Sequence, residues 1–130
     1  MTYIPKDKGV EAEKYVNKFF RGVTNGKGCY DIETKNCLIE VKSCNIINNC
    51  NPKHKRPQFG RYSIDTQNHI KLFLEAIRKN KVPIYVFVLS INKRKIFIKK
   101  RWDELIIDGL KSYANIPWTH IFYNTYNPKQ

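Results

Sequence analysis

The sequence predicts an α/β fold in which helices lie against a mixed central sheet, and three observations carry that prediction. Apolar residues recur at helical spacing near the start of the chain and again in its middle. Short β-branched runs separate those two stretches. After Pro83 comes Ile84-Tyr85-Val86-Phe87-Val88-Leu89, the nearly continuous apolar run expected of a strand buried on both faces. The order is α-β-β-β-α-β-β and then a short helix, which fits an α/β sandwich with both long helices against one sheet. A chain of 130 residues suits a single domain over 1–130, with a core of two or three packed layers.

The first helix is predicted from Lys8 to about Phe20, because Ala12, Tyr15, Val16, Phe19 and Phe20 share one stripe. Glu11 and Glu13 flank that stripe on opposite sides, and either can lean towards the sheet or pair with a neighbouring lysine in solvent. A glycine-containing loop follows, Arg21 to Gly28, with a short strand at its start. Its Lys27 is a candidate phosphate contact.

The next stretch, Cys29 to Lys42, reads as a hairpin. Asp31 lies in an alternating run with Tyr30 and Ile32, Lys35-Asn36 is a turn, and Leu38-Ile39-Glu40-Val41-Lys42 is a strand. Successive side chains on a strand point to opposite faces, so Glu40 and Lys42 share one face while Ile39 and Val41 share the other. Charge inside an apolar strand needs a reason, since burying it unpaired costs several kcal/mol. Two readings fit. One is a Glu40–Lys42 salt bridge on a solvated face. The other is a metal site, in which two carboxylates from adjacent strands supply hard oxygens and the lysine orients or deprotonates a water.

From Ser43 to Tyr62 the chain is rich in Asn, Pro and basic residues and is predicted to be a loop or insertion. Lys53, His54, Lys55 and Arg56 form a basic run there, and Arg61 follows, all suited to a DNA backbone if they are not simply a solvated patch. Phe59 and Tyr62 are expected in the core. Ser63 or Asp65 caps a second helix running to about Asn80, with Ile70, Phe73, Leu74 and Ile77 as its apolar stripe, Gln67 on the same side, and His69 at the surface. Asn92-Lys93-Arg94 turns the buried strand into another, Lys95 to Lys100, which adds a second basic cluster or a protected edge. Trp102 to Ile107 reads as a short helix and His120 to Tyr123 as a last strand. Ile106, Ile107, Ile116 and Trp118 exceed what a small core requires and predict a homodimer interface.

Asp31 followed by Glu40-Val41-Lys42 resembles the D…(D/E)-x-K signature of the PD-(D/E)xK superfamily of restriction-endonuclease-like nucleases. Gly9-Val10-Glu11-Ala12-Glu13-Lys14 resembles the opening of the first helix in archaeal Holliday-junction resolvases of that superfamily, and Ile39-Glu40-Val41-Lys42-Ser43 resembles their catalytic strand. The likeness spans residues 8–100 and leaves 101–130 as a C-terminal extension. It implies a restriction-endonuclease-like αβββαβ core and a Mg²⁺-dependent endonuclease, with Mn²⁺ as a substitute ion, acting on branched DNA as a homodimer in recombination or repair. It further implies that Asp31 and Glu40 hold the metal with Glu13 and the Val41 carbonyl, that Lys42 handles the water, and that Gln67 orients water or lysine. The resembled resolvases carry a serine in the loop before the aspartate. Here only Thr24 and Asn25 are present.

The formal net charge is +13, from 24 Lys+Arg against 11 Asp+Glu. Such an excess repels itself and points to an anionic partner, nucleic acid before an acidic membrane surface. No stretch has the length and apolarity of a membrane span and the N-terminus lacks a signal-peptide core, so a cytoplasmic protein is expected. Cys29, Cys37, Cys44 and Cys50 form no C-x-x-C pair, which makes free thiols the default. A zinc site using Cys44, Cys50 and His54, and a Cys29–Cys37 disulfide, are the alternatives. A related restriction-like, repair or mobile-element nuclease, or a silent nucleic-acid-binding module, would explain the charge equally.

Overall fold

A computed structural model of the chain describes residues 5–25, 28–48 and 58–123. The elements run α1 (Pro5–Phe20), β1 (Val23–Thr24), β2 (Ile32–Glu33), β3 (Cys37–Asn45), β4 (Ile47–Asn48), β5 (Gln58–Phe59), β6 (Arg61–Asp65), α2 (Thr66–Lys79), β7 (Val82–Ile91), β8 (Arg94–Arg101), a 3₁₀ turn (Trp102–Glu104), β9 (Tyr113–Pro117) and α3 (Trp118–Tyr123). The fold is α/β. Its main sheet has five strands in the order β1-β2-β3-β7-β8, and β4-β5 and β6-β9 form two small pairs. The sheet is mixed, because β3 runs parallel to β7 while β2 and β8 are antiparallel to their neighbours. Among the described residues no helix is long and apolar enough to cross a membrane.

The central strands bury both faces, as the apolar run requires. Ile84, Val86 and Val88 face α1 together with Ile39 and Ile32, against Ala12 and Val16. Tyr85, Phe87 and Leu89 face the other way with Leu38, against Leu72 and Ala76 of α2 and Trp118 and Ile121 of α3. The β7–β8 turn places Asn92 and Lys93 at positive φ, 47° and 68°, the paired left-handed conformation that suits a tight hairpin. Helix α2 is bounded on both sides: the Asp65 carboxylate accepts from the Gln67 and Asn68 amides, and Asn80 closes the other end at φ 56°.

Several expectations are corrected. The stripe Ile70, Phe73, Leu74 and Ile77 is exposed, at 48%, 37%, 58% and 61%, and α2 instead buries Thr66, His69, Leu72 and Ala76. Large aromatics on the sheet, Tyr62, Tyr85 and Phe87, already fill that layer, so the helix approaches on its smaller side chains. His69 is buried, not superficial. The region expected to be loop holds the end of β3, all of β4 and β5, and the start of β6, which pairs with β9 in the predicted extension. Tyr62 is in the core, and its hydroxyl donates to the Val88 carbonyl at 2.9 Å, whereas Phe59 is 58% exposed and meets Trp118 edge-on. The helix expected over 102–107 is a single 3₁₀ turn, and the last strand is helix α3, which lets Trp118 and Ile121 reach the core from one face.

Ile107, Ile116 and Trp118 pack against that core and are not spare surface, while Ile106 is fully exposed. None of Cys29, Cys37 and Cys44 is in a disulfide. Since Ile32 pairs with Ile39, Cys29 and Cys37 lie at opposite ends of the β2–β3 hairpin, too far apart to bridge. The proposed zinc ligands Cys50 and His54 lie outside the described residues.

Candidate metal and nucleic-acid site

The candidate site forms where β2 parts from β3. Strand β2 pairs only Ile32 and Glu33 with Ile39 and Leu38, which leaves the next backbone donor of β3 without a strand partner. The side chain of Asp31 takes that place: its Oδ2 accepts the Val41 N–H at 2.7 Å. The Asp31 backbone is fixed as well, its N–H donating to the Ile39 carbonyl at 2.8 Å and its carbonyl accepting from Asn25 N–H at 2.8 Å. With its backbone fixed by two bonds and its carboxylate by one, Asp31 has little freedom to turn.

Glu40 stands beside it on β3. It is 7% exposed, faces the α2 side of the sheet, and sits opposite Tyr85 in the parallel register. Its Oε2 receives the Asn68 amide at 3.1 Å and the Lys42 ammonium at 3.5 Å, and Asn68 also reaches the Cys29 carbonyl at 3.3 Å. The carboxyls of Glu40 and Asp31 lie within hydrogen-bonding reach of each other. Burial, followed by the bond to Asp31 and its charge, pushes the Glu40 carboxyl up to about 9, against the opposing pull of Lys42. Glu13, half-buried on α1, is raised to about 7 by burial and then by the Asp31 charge. Two acids this close resist ionising together, and a divalent cation between them would relieve the repulsion.

Glu13 feels Asp31, but no three His, Cys, Asp or Glu side chains among the described residues converge to hold a metal ion. The two acids that meet there are Asp31 and Glu40. Val41 is half-buried next to it, with its N–H engaged by Asp31. Glu11, the other glutamate on α1, is exposed and pairs with Lys95 at 3.0 Å. Gln67 is exposed and not on the buried face expected of it; the next residue, Asn68, makes the contact to Glu40. The one-residue error follows from the misread face of α2. Fixing the start of the helix by the Asp65 cap turns Asn68, not Gln67, towards the sheet.

His69 went unnoticed as a site neighbour. Its imidazole stacks on Trp102 at 4.3 Å and on Tyr85 at 5.6 Å, and Nδ1 lies 2.6 Å from the Tyr85 hydroxyl. Burial lowers its pKa to about 4, so the ring is neutral near pH 7. It forms a rigid aromatic wall behind Glu40. The aromatic residues of β7 and Trp102 were the available signal, since three rings on facing elements tend to stack.

Of the candidate phosphate contacts, Arg61 is exposed on β6, and Lys27, Lys53, Lys55 and Arg56 lie outside the described residues. Thr24 is exposed on β1. In the second basic cluster Arg94, Lys99 and Arg101 are exposed, Lys95 is half-buried and paired with Glu11, and Lys100 is buried. A cleft of about 220 Å³ lies at the end of β3 beside α1, lined by Ser43, Asn45, Ser90, Lys93, Lys95 and Glu11 among others. Comparison of the chain with protein-family models, with curated proteins and with solved structures finds no match.

Proposed function

We propose that this chain is a metal-dependent DNA endonuclease with a restriction-endonuclease-like core, hydrolysing phosphodiester bonds with branched DNA as its first substrate, as in Holliday-junction resolution. The supporting observation is the pair of neighbouring carboxyls, Glu40 buried and Asp31 half-buried, with the Lys42 ammonium on Glu40. Mg²⁺ suits this donor set on chemistry: both groups are hard oxygen donors, and a divalent cation removes the repulsion that otherwise keeps one of them protonated. When bound, it would neutralise charge on a phosphodiester and acidify a water. Mn²⁺ would substitute.

The chain's own groups have separate tasks. Val41 N–H holds one oxygen of Asp31, and Asn68 with Lys42 holds one oxygen of Glu40, which leaves Asp31 Oδ1 and Glu40 Oε1 for a cation. Asn68 fixes the Glu40 rotamer between helix and hairpin. Lys42, whose side chain is 24% exposed, is the group able to hold a phosphate oxygen or to orient the attacking water. The neutral His69–Tyr85 wall keeps the back of the site dry. Exposed basic residues, Arg61 and Lys93 among those described, would take flanking phosphates in a salt-dependent way. The protein would work in the cytoplasm as a homodimer, in DNA recombination or repair.

The test is a panel of labelled four-way junction, flap, nicked and plain duplex DNA, with Mg²⁺ and then Mn²⁺, comparing native protein with Asp31→Asn. Cleavage by the native chain, and binding without cleavage by the variant, is the expected result. No cleavage of any substrate by the native chain, or equal cleavage by both, would overturn the proposal.

A further inference from the structure

Phe59 is an exposed ring on a fixed backbone. It pairs with Ile47 in the β4–β5 ladder, and the next residue, Gly60, is tied on both sides: its N–H donates to the Ile46 carbonyl at 3.0 Å and its carbonyl accepts from the Trp118 N–H at 3.1 Å. The Asn45 carbonyl and Cys44 Sγ occupy the space that a Cβ on Gly60 would need. Trp118 is held in turn, its indole N–H donating to the Ile46 carbonyl at 2.9 Å. Two rings meet that indole, Phe59 edge-on at 5.9 Å and Tyr123 at 5.7 Å, and they are 58% and 65% exposed. Rings fixed so firmly yet left in solvent present flat apolar faces that the core does not use.

The two segments that build this cluster carry no acid. Between Glu40 and Asp65 the sequence has Lys42, Lys53, Lys55, Arg56 and Arg61, and after Asp108 it has Lys111 and Lys129. Arg61 is exposed, two residues from Phe59, and pairs across the strands with Pro117, the neighbour of Trp118. An aromatic face among unpaired positive charge suits a ligand that is both flat and anionic. A nucleic-acid strand is such a ligand, since its bases stack on rings whatever their sequence while its phosphates meet the cations. An acidic protein would answer the charge without needing a flat ring. The cluster also lies on the side of the sheet that carries the carboxyls: Trp118 packs in the core facing α2, the side towards which Glu40 and its partner Lys42 point. Lys42 and Asn45, whose carbonyl abuts Gly60, are three residues apart on β3, or about 10 Å, close to three base rises of about 3.4 Å.

We propose that Phe59, backed by Trp118, is a stacking platform for an unpaired nucleobase of a DNA strand that passes Lys42. The proposal rests on the nucleic-acid part of the function given above and narrows its substrate, within branched DNA, to a flap or fork with a single-stranded arm. Arg61 holds a phosphate of that arm, and Tyr123 offers a second ring beside the first.

The test is binding in EDTA, read by fluorescence anisotropy, of labelled oligothymidine and of an abasic strand of equal length, which carries the same phosphates and no bases. The native chain should bind oligothymidine roughly 5- to 100-fold more tightly than the abasic strand. Phe59→Leu, apolar but not flat, should bring the two strands to equal affinity with unchanged circular dichroism, and Phe59→Tyr should keep the preference. Added salt should weaken both complexes and leave their ratio in place, because stacking releases no counterions. Equal native affinity for the two strands, no binding of either, or a preference that Phe59→Leu retains would overturn the platform. Cleavage plays no part in this readout. A chain that cuts DNA but shows no preference sinks the platform alone, and one that shows the preference but never cuts sinks the nuclease reading alone.

Discussion

Replacing Glu40 by glutamine should stabilise the metal-free protein, and the size of the gain follows from the site. In the unfolded chain a glutamate titrates near 4.5, whereas in the fold the Glu40 carboxyl is held up to about 9 by burial and by Asp31. Because the folded value is raised, this group's contribution to stability is fully present below about pH 4.5 and is lost progressively as the pH rises towards 9. At 1.36 kcal/mol per pH unit, the loss between pH 4.5 and 7 is about 3 kcal/mol. Glutamine is neutral throughout and its carbonyl oxygen can still accept the Asn68 amide. For a chain of this size a gain of that order moves the melting midpoint by roughly 10 °C. The assay is thermal unfolding in EDTA at pH 4.5, 7 and 8.5, native against Glu40→Gln. The two should melt together at pH 4.5 and separate as the pH rises, with the variant higher. Adding Mg²⁺ should close the gap by stabilising only the native protein. A pH-independent difference, or a variant less stable than native at pH 7, would refute the picture of an ion-starved acidic pair.

Other substitutions separate the roles within the site. Lys42→Ala should lower single-turnover cleavage by at least 100-fold while DNA affinity changes little, since one ammonium among many basic groups adds little to binding. Asn68→Ala should lower cleavage about 10-fold and raise the Mg²⁺ concentration for half-maximal rate, whereas Gln67→Ala should change neither. Any step in activity near pH 7 should belong to Glu13 and persist in His69→Gln, because His69 is held near 4; a step that His69→Gln removes would contradict its assignment as a neutral wall. Gly60→Ala should destabilise the fold by several kcal/mol, as a Cβ there would collide with the Asn45 carbonyl; an unchanged chemical-denaturation midpoint would count against that packing.

What could be read from the sequence was what depends on short-range pattern. The continuous run 84–89 can only be a strand buried on both faces, and alternation on β3 puts Glu40 and Lys42 together wherever the strand lies. The paired polar turn at Asn92-Lys93 and the Asp65 and Asn80 helix ends were equally local. The errors arise where tertiary packing overrides pattern. An i, i+3, i+4, i+7 stripe says only that a helix face will be covered, not by what, so Ile70, Phe73, Leu74 and Ile77 were assigned to the core when rings on β6 and β7 had already filled it. That rotation misplaced Gln67 and His69 with it. Strand β9 was missed because its partner, β6, is 48 or more residues away in sequence and alternation over Tyr113–Pro117 is too short to show. Of the site, the acids and lysine were legible as a motif. That their carboxyls touch, and that an asparagine secures one of them, depends on where β2 stops pairing.

The central claim is that Asp31 and Glu40 together seat a divalent cation. Titration of Mn²⁺ into the purified protein, with free ion read by electron paramagnetic resonance, measures this directly. The native chain should take up Mn²⁺ that Mg²⁺ displaces, and both Asp31→Asn and Glu40→Gln should abolish that uptake while Glu11→Gln leaves it intact. Uptake equal in all four proteins, or none by the native chain, would contradict the account.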